Sequence, residues 1–86
     1  MLAMKFLTTV YVKLKPGYSD PEGETTVRAL QGLGYDIEQV RVSKAYELVF
    51  KAKTDKEAEV TVDEICRRLL TNPTKDDYSF EISEAR

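Results

Sequence analysis

The stretch from Lys13 to Thr25, Lys-Leu-Lys-Pro-Gly-Tyr-Ser-Asp-Pro-Glu-Gly-Glu-Thr, constrains the fold of this chain more than any other. Within it an alternating run ends, the backbone turns and a helix starts. Pro16 fixes φ and drives Lys15 towards an extended conformation, so a strand stops there. Gly17 can take positive φ, which makes Pro16-Gly17 the centre of a type II turn. Asp20 is placed to cap the next helix, with Pro21 at its first position. Glu22 and Glu24 then occupy the first turn, where the helix dipole favours negative charge. Ser19 as the cap, with Glu22 closing a capping box, is an equally legal reading. A plain strand-to-helix connection would account for all of this. Two prolines, two glycines and alternating charges nevertheless specify an exposed, rigid corner, and such corners are where partners bind.

Periodicity supplies the elements on either side. From Phe6 to Leu14 the even positions Phe6, Thr8, Val10, Val12 and Leu14 form one face of a strand. The odd positions Leu7, Thr9, Tyr11 and Lys13 are less polar than a solvated face. A first helix is expected from Pro21 to Leu33, with Val27, Leu30 and Leu33 towards the core, flanked by Thr26 and Ala29. Gly34 ends it as a left-handed residue, and Tyr35 is placed for the contact that follows. Gly32 in the last turn costs about 1 kcal/mol against Ala, which predicts a close packing contact there.

The even positions Val40, Val42, Tyr46, Leu48 and Phe50 place a strand over residues 37–53, interrupted only by Lys44. Ser43-Lys44-Ala45 lacks the Asn-Gly or Asp-Gly of a two-residue hairpin, so one long strand with a bend near Ser43–Ala45 is expected. Lys44 then points past the core at a rim or interface, or sits as a lysine in a surface turn. Thr54-Asp55-Lys56-Glu57 reads as a capping box opening a second helix, with Ala58, Val62, Ile65, Cys66 and Leu69 as its apolar stripe. Asn72-Pro73 stops that helix. Tyr78, Phe80 and Ile82 alternate as a last strand, and Glu84-Ala85-Arg86 is a short tail. The order β-α-β(β)-α-β predicts an α+β fold: an antiparallel sheet with both helices on one face, close to ferredoxin-like.

The 86 residues make a single domain, 1–86, near the lower end of independent stability, where oligomerisation is a common support. A content of 42% apolar and 33% charged residues is globular. A formal charge of −2 leaves no basic footprint for nucleic acid. Tyr11, Tyr46 and Tyr78 could pass for stacking aromatics, but the basic, Gly-containing strand of an RNA-recognition sheet is missing. The chain has no histidine, which excludes imidazole acid–base work and histidine metal sites. The four glycines match no phosphate loop. The pairs Asp63-Glu64 and Asp76-Asp77 read as solvated. The single Cys66 sits on an apolar stripe and reads as a core hydrophobe in a reducing compartment. Apolar runs are too short for a membrane span, and Met1–Lys5 lacks a signal-peptide h-region, so a cytoplasmic location is expected. No catalytic, cofactor or metal site is expected on this chain.

Further motifs carry a resemblance. Leu14-Lys15-Pro16-Gly17, Asp20-Pro21-Glu22-Gly23, Ala29-Leu30 and Leu33-Gly34-Tyr35 resemble the PurS family, the small subunit of phosphoribosylformylglycinamidine synthase. The likeness continues through Val40-Arg41-Val42, Lys44, Glu47-Leu48, Leu69-Leu70, Asn72-Pro73, Tyr78 and Phe80-Glu81, nearly the whole chain. Ser43-Lys44-Ala45 departs from it, since family members often have Gly before the lysine and an aromatic after it. The resemblance implies an accessory subunit that bridges a glutaminase (PurQ-type) and a synthetase (PurL-type) and assists ammonia transfer. ATP and magnesium would be used by the partner synthetase. A homodimer or tetramer is expected, built partly on the sheet face carrying Leu7, Thr9 and Tyr11. Lys15, Pro16, Gly17, Asp20, Pro21, Glu22 and Gly23, with Arg41 and Lys44, are expected to contact a partner. A small dimeric metabolite-binding regulatory domain is the alternative from another class, and an autonomous enzyme comes third.

Overall fold

A computed structural model describes residues 3–85. Met1, Leu2 and Arg86, the last residue of the expected tail, lie outside the described residues. Three strands, β1 (Met4–Leu14), β2 (Lys44–Ala52) and β3 (Asp76–Glu84), form an antiparallel sheet in the order β2-β1-β3. Helix α1 (Pro21–Gly32) joins β1 to β2, and α2 (Asp55–Ile65) joins β2 to β3. The antiparallel α+β class is the one expected.

The central strand behaves as its alternation requires. Phe6, Thr8, Val10 and Val12 are buried against α2, where Ala58, Val62 and Cys66 close the core. Phe6 and Phe50, directly paired across β1 and β2, hold their rings 6.1 Å apart. The buried Thr8 hydroxyl donates to the Glu81 carbonyl oxygen at 2.6 Å, so no polar group is stranded under the helix. Thr54 caps α2 by accepting the Glu57 N–H at 3.1 Å. Burial pushes the Cys66 thiol up from its ordinary value and keeps it neutral, as a core hydrophobe should be.

The structure corrects several expectations. Leu69 does not join the α2 stripe: it is 82% exposed, and Leu70 packs on the core instead. The cause is a π-helical turn over Cys66–Leu70, in which the Thr71 N–H donates to the Cys66 carbonyl at 3.0 Å. That wider turn moves the inward position one residue on. Strand β2 starts at Lys44 rather than Ile37, and residues 33–43 lie outside regular secondary structure. Glu84 belongs to β3, not to a tail.

The largest difference concerns α1. Only α2 packs along the sheet, and Leu33, expected in the core, is 75% exposed. Gly32 has nothing within 4 Å of where a Cβ would stand, so it marks no close packing contact within the protomer. The radius of gyration is 17.0 Å with extents of 58 × 29 × 14 Å, against about 12 Å for a compact chain of this length. Helix α1 and the segment returning from it form an arm that leaves the sheet.

Candidate functional site

The corner that dominates the sequence is the root of this arm. Tyr18 donates its N–H to the Lys15 carbonyl at 3.3 Å across Pro16-Gly17, with Gly17 at φ +92°, as a type II turn requires. Asp20, not Ser19, is the cap of α1: its Oδ1 accepts the Gly23 N–H at 3.0 Å. Its Oδ2 accepts the Val42 N–H at 2.8 Å. One carboxylate thus pins both the start of α1 and the end of the returning segment. A second clip crosses the same gap, where Arg41 Nη2 donates to the Leu14 carbonyl at 3.2 Å. Gly23 lets the two limbs approach: a Cβ there would run into the Val40 carbonyl oxygen and lie 2.7 Å from Asp20 Oδ2.

At the far end the helix closes with paired backbone bonds. Tyr35 donates to the Leu30 carbonyl at 3.1 Å and Gly34 to that of Gln31 at 3.0 Å, with Gly34 at φ +94°. This is a Schellman turn, placed where the sequence marks Gly34. Gln31 Nε2 then holds the Ile37 carbonyl at 3.0 Å.

The structure therefore brings Lys15, Pro16, Gly17, Asp20, Pro21, Glu22, Gly23, Arg41 and Lys44 to one end of the sheet. Their tasks differ. Asp20, Gly23 and Arg41 place backbone. Lys15 is occupied locally, its N–H donating to the Lys75 carbonyl at 2.7 Å and its ammonium 4.0 Å from Asp77. Pro16, Gly17, Pro21, Glu22 and Lys44 are exposed. Lys44 pairs with Val12 and, with Glu22, Asp20, Lys13 and Asp76, lines a cleft of about 280 Å³ between the arm root and the sheet end. It is a rim lysine.

Leu7, Thr9 and Tyr11 line the face of β1 opposite α2, in register with Val49, Glu47 and Ala45 on β2. Leu7 and Tyr11 are exposed, and Val49 is 63% exposed. This face is partly apolar and, among the described residues, has no helix over it.

Sequence reasoning missed one polar lock. The Tyr78 hydroxyl donates to Asp63 Oδ1 at 2.6 Å and Arg67 Nε donates to Asp63 Oδ2 at 2.8 Å, tying α2 to β3. The i,i+4 spacing of Asp63 and Arg67 is visible in the sequence, but the reach to Tyr78 is tertiary. The Tyr78 hydrogen bond, then Arg67, hold the Asp63 carboxyl below its ordinary value, and the same bond raises Tyr78. The Val42 and Gly23 N–H groups likewise lower Asp20.

Depressed carboxyl pKa values give stability that is full above the unfolded value, about 3.9 for Asp, and lost as pH falls through the folded one. Melting temperature should therefore drop as pH is lowered from about 5, and Asp20→Asn and Asp63→Asn should each flatten that drop. Curves parallel to the parent's would show that neither carboxylate carries the dependence. Among the described residues no three His, Cys, Asp or Glu side chains gather as a metal site, and no helix is long and apolar enough to cross a membrane.

These features define the class: a small α+β domain whose most specified residues set the angle of a projecting arm. Comparison with known proteins narrows it. The PurS family profile, described as phosphoribosylformylglycinamidine (FGAM) synthase, matches residues 7–84. The phosphoribosylformylglycinamidine synthase subunit PurS of Archaeoglobus fulgidus is 39% identical over 86% of this chain and 94% of its own. Among solved structures, Thermus thermophilus PurS superposes with a TM-score of 0.86 at 35% identity, covering 95% of this chain and 99% of that one. A chain in the structure of PurLQS from Thermotoga maritima matches with a TM-score of 0.81 at 29% identity, covering 94% and 98%. The chain belongs to the PurS family.

Proposed function

We propose that this chain is the accessory subunit of a phosphoribosylformylglycinamidine synthase, bridging a glutaminase and an ATP-using synthetase. The observation that carries this reading is the family match over residues 7–84, joined to the likeness to a chain of the PurLQS structure. The assembled enzyme converts formylglycinamide ribonucleotide, ATP and glutamine into formylglycinamidine ribonucleotide, ADP, phosphate and glutamate. Glutamine hydrolysis releases ammonia. At the synthetase, ATP activates the amide oxygen, and ammonia displaces it as phosphate, with magnesium on the nucleotide. Ammonia free in solution is protonated at neutral pH and lost, so the two sites need a closed route. A rigid module that fixes the geometry of two larger subunits meets that need without contributing a catalytic group.

The chain acts as a homodimer or dimer of dimers in the cytoplasm, with Leu7, Thr9 and Tyr11 buried at a contact between copies. The arm root presents Pro16, Gly17, Pro21, Glu22 and Lys44 to a larger subunit. Lys15, Asp20, Gly23 and Arg41 hold that surface in place.

The test is reconstitution from separate synthetase, glutaminase and this chain, with ADP, magnesium and glutamine present during co-purification. Omitting this chain should abolish glutamine-driven synthesis while ammonium chloride still supports it, since only transfer between sites is lost. Full glutamine-driven turnover without it would sink the proposal.

A further inference from the structure

The open face of the sheet carries its charges in bands. The register of β1 with β2 and β3 sets the odd positions of the three strands into rows across that face. One row is Thr9, flanked by Glu47 on β2 and Glu81 on β3. The next is Leu7, flanked by Val49 and Ser83, and the row beyond it pairs Lys5 with Lys51. On the other side of the glutamates comes Tyr11, and then Lys13 with Asp77. Lys5, Leu7, Glu47, Val49, Lys51 and Glu81 are all exposed. Among the described residues no ion pair involves Lys5, Lys51, Glu47 or Glu81. Glu47 and Glu81 stand two strand spacings apart, about 10 Å, too far to share one ion and close enough to repel.

This banding restricts how a second copy can cover the face. A two-fold axis parallel to the strands at β1 lays Glu47 of one copy on Glu81 of the other, so four carboxylates gather in one row. An axis across the strands at Thr9 sets each glutamate on its own counterpart, and one at Lys5 sets lysine on lysine. An axis across them at Tyr11 sets Glu81 against Asp77. The axis across the strands at Leu7 and Val49 behaves differently. It turns the lysine row of each copy onto the glutamate row of the other, with Leu7 on Leu7 and Val49 on Val49 between them. Shifting that axis by half a row either way sets Val49 against Lys51 or against Glu47.

We infer that two copies pack open face to open face about a two-fold axis crossing the strands at Leu7 and Val49. Lys51 of each lies over Glu47 of the other, and Lys5 of each stands between the other's Glu47 and Glu81. The occupant is a second copy because the face carries both a charge pattern and its complement, in the order a two-fold axis requires. Sheets stacked face to face lie about 10 Å apart, a gap that Lys and Glu side chains bridge from opposite sides while Leu7 and Val49 meet at the centre. The packing rests on the reading above that Leu7, Thr9 and Tyr11 meet a second copy, and it fixes the register of that contact.

Charge reversal in the full-length chain, followed by sedimentation equilibrium at low salt, tests the register. Glu47→Lys and Lys51→Glu each turn two symmetry-related attractions into repulsions. Each should weaken the association by about tenfold with an unchanged far-UV spectrum, since both positions are exposed. Mixing the two variants should restore it, because each then supplies the charge that the other lacks. The double variant Glu47→Lys/Lys51→Glu should associate like the parent for the same reason. Single variants that stay weak on mixing show a different register and overturn the packing. Self-association indifferent to both reversals overturns it as well and leaves the homodimer reading standing. Reversals that weaken only the binding of a synthetase or glutaminase subunit do the same and assign the face to that subunit. A parent chain that sediments as a monomer at micromolar concentration overturns the packing and the homodimer reading together.

Discussion

Phe6→Ala is expected to remove most of the stability of the fold at 25 °C. Phe6 is buried on the central strand, where it packs on Ala52 and Ala58, with Met4, Phe50 and Ile82 around them. Small neighbours make the loss worse. Ala52 and Ala58 have no side-chain length with which to fill the void, so the cavity persists. Truncating a buried Phe costs about 3–5 kcal/mol. A domain of this size holds roughly 5 kcal/mol in total, so the substitution consumes most of it. Urea titration by circular dichroism should show a midpoint near zero for the variant. Phe6→Leu, which keeps most of the volume, should retain a cooperative transition. A Phe6→Ala midpoint close to the parent's would mean that the sheet and α2 do not pack as described.

The second large effect is expected at Gly23. In Gly23→Ala the added methyl meets the Val40 carbonyl oxygen and Asp20 Oδ2, the latter held by the Val42 N–H. Neither is the end of a flexible side chain able to swing away, since Asp20 is fixed by two backbone N–H groups. The returning segment must separate from α1, and overpacking of this kind costs about 1–3 kcal/mol. The damage should be local: amide exchange should quicken at Gly23 and Val42 while β1 and α2 keep their protection. Gly32→Ala is the control on the same helix. Nothing stands within 4 Å of that position, so helix propensity alone predicts a gain of up to about 1 kcal/mol. Equal stability for Gly23→Ala and the parent would show that the close approach of α1 and residue 40 is not required.

Asp20 also changes meaning once the structure is known. As a helix cap alone it would tolerate Asn, because the amide oxygen still accepts from Gly23. With both oxygens accepting backbone N–H groups, Asn supplies one acceptor too few, and the Val42 contact is lost. Loss of partner binding in Asp20→Asn thus reports on arm placement as much as on docking. Glu22 and Lys44, exposed at the same corner, are the cleaner probes of a partner surface.

Local chemistry alone settled the presence of β1 and β3, the Thr54 start of α2, the Gly34 stop after α1, the Pro16-Gly17 turn, the buried face of β1 and most of that of α2. Each depends on interactions within a few residues: φ restriction at proline, a cap three residues from its donor, a side-chain alternation of two or 3.6. Family membership was legible for a related reason, since the corner and the Gly34 stop are short motifs readable in order. What only the tertiary structure decided lies beyond that range. The π turn that exchanges Leu69 for Leu70 depends on how α2 meets the core. The Asp63–Tyr78 bond joins residues on different elements. The direction of α1 is set by Asp20 and Arg41 reaching across 22 and 27 residues. An apolar stripe such as Val27, Leu30 and Leu33 states that a helix must be covered, but burial is not directional, so the stripe does not say by which surface.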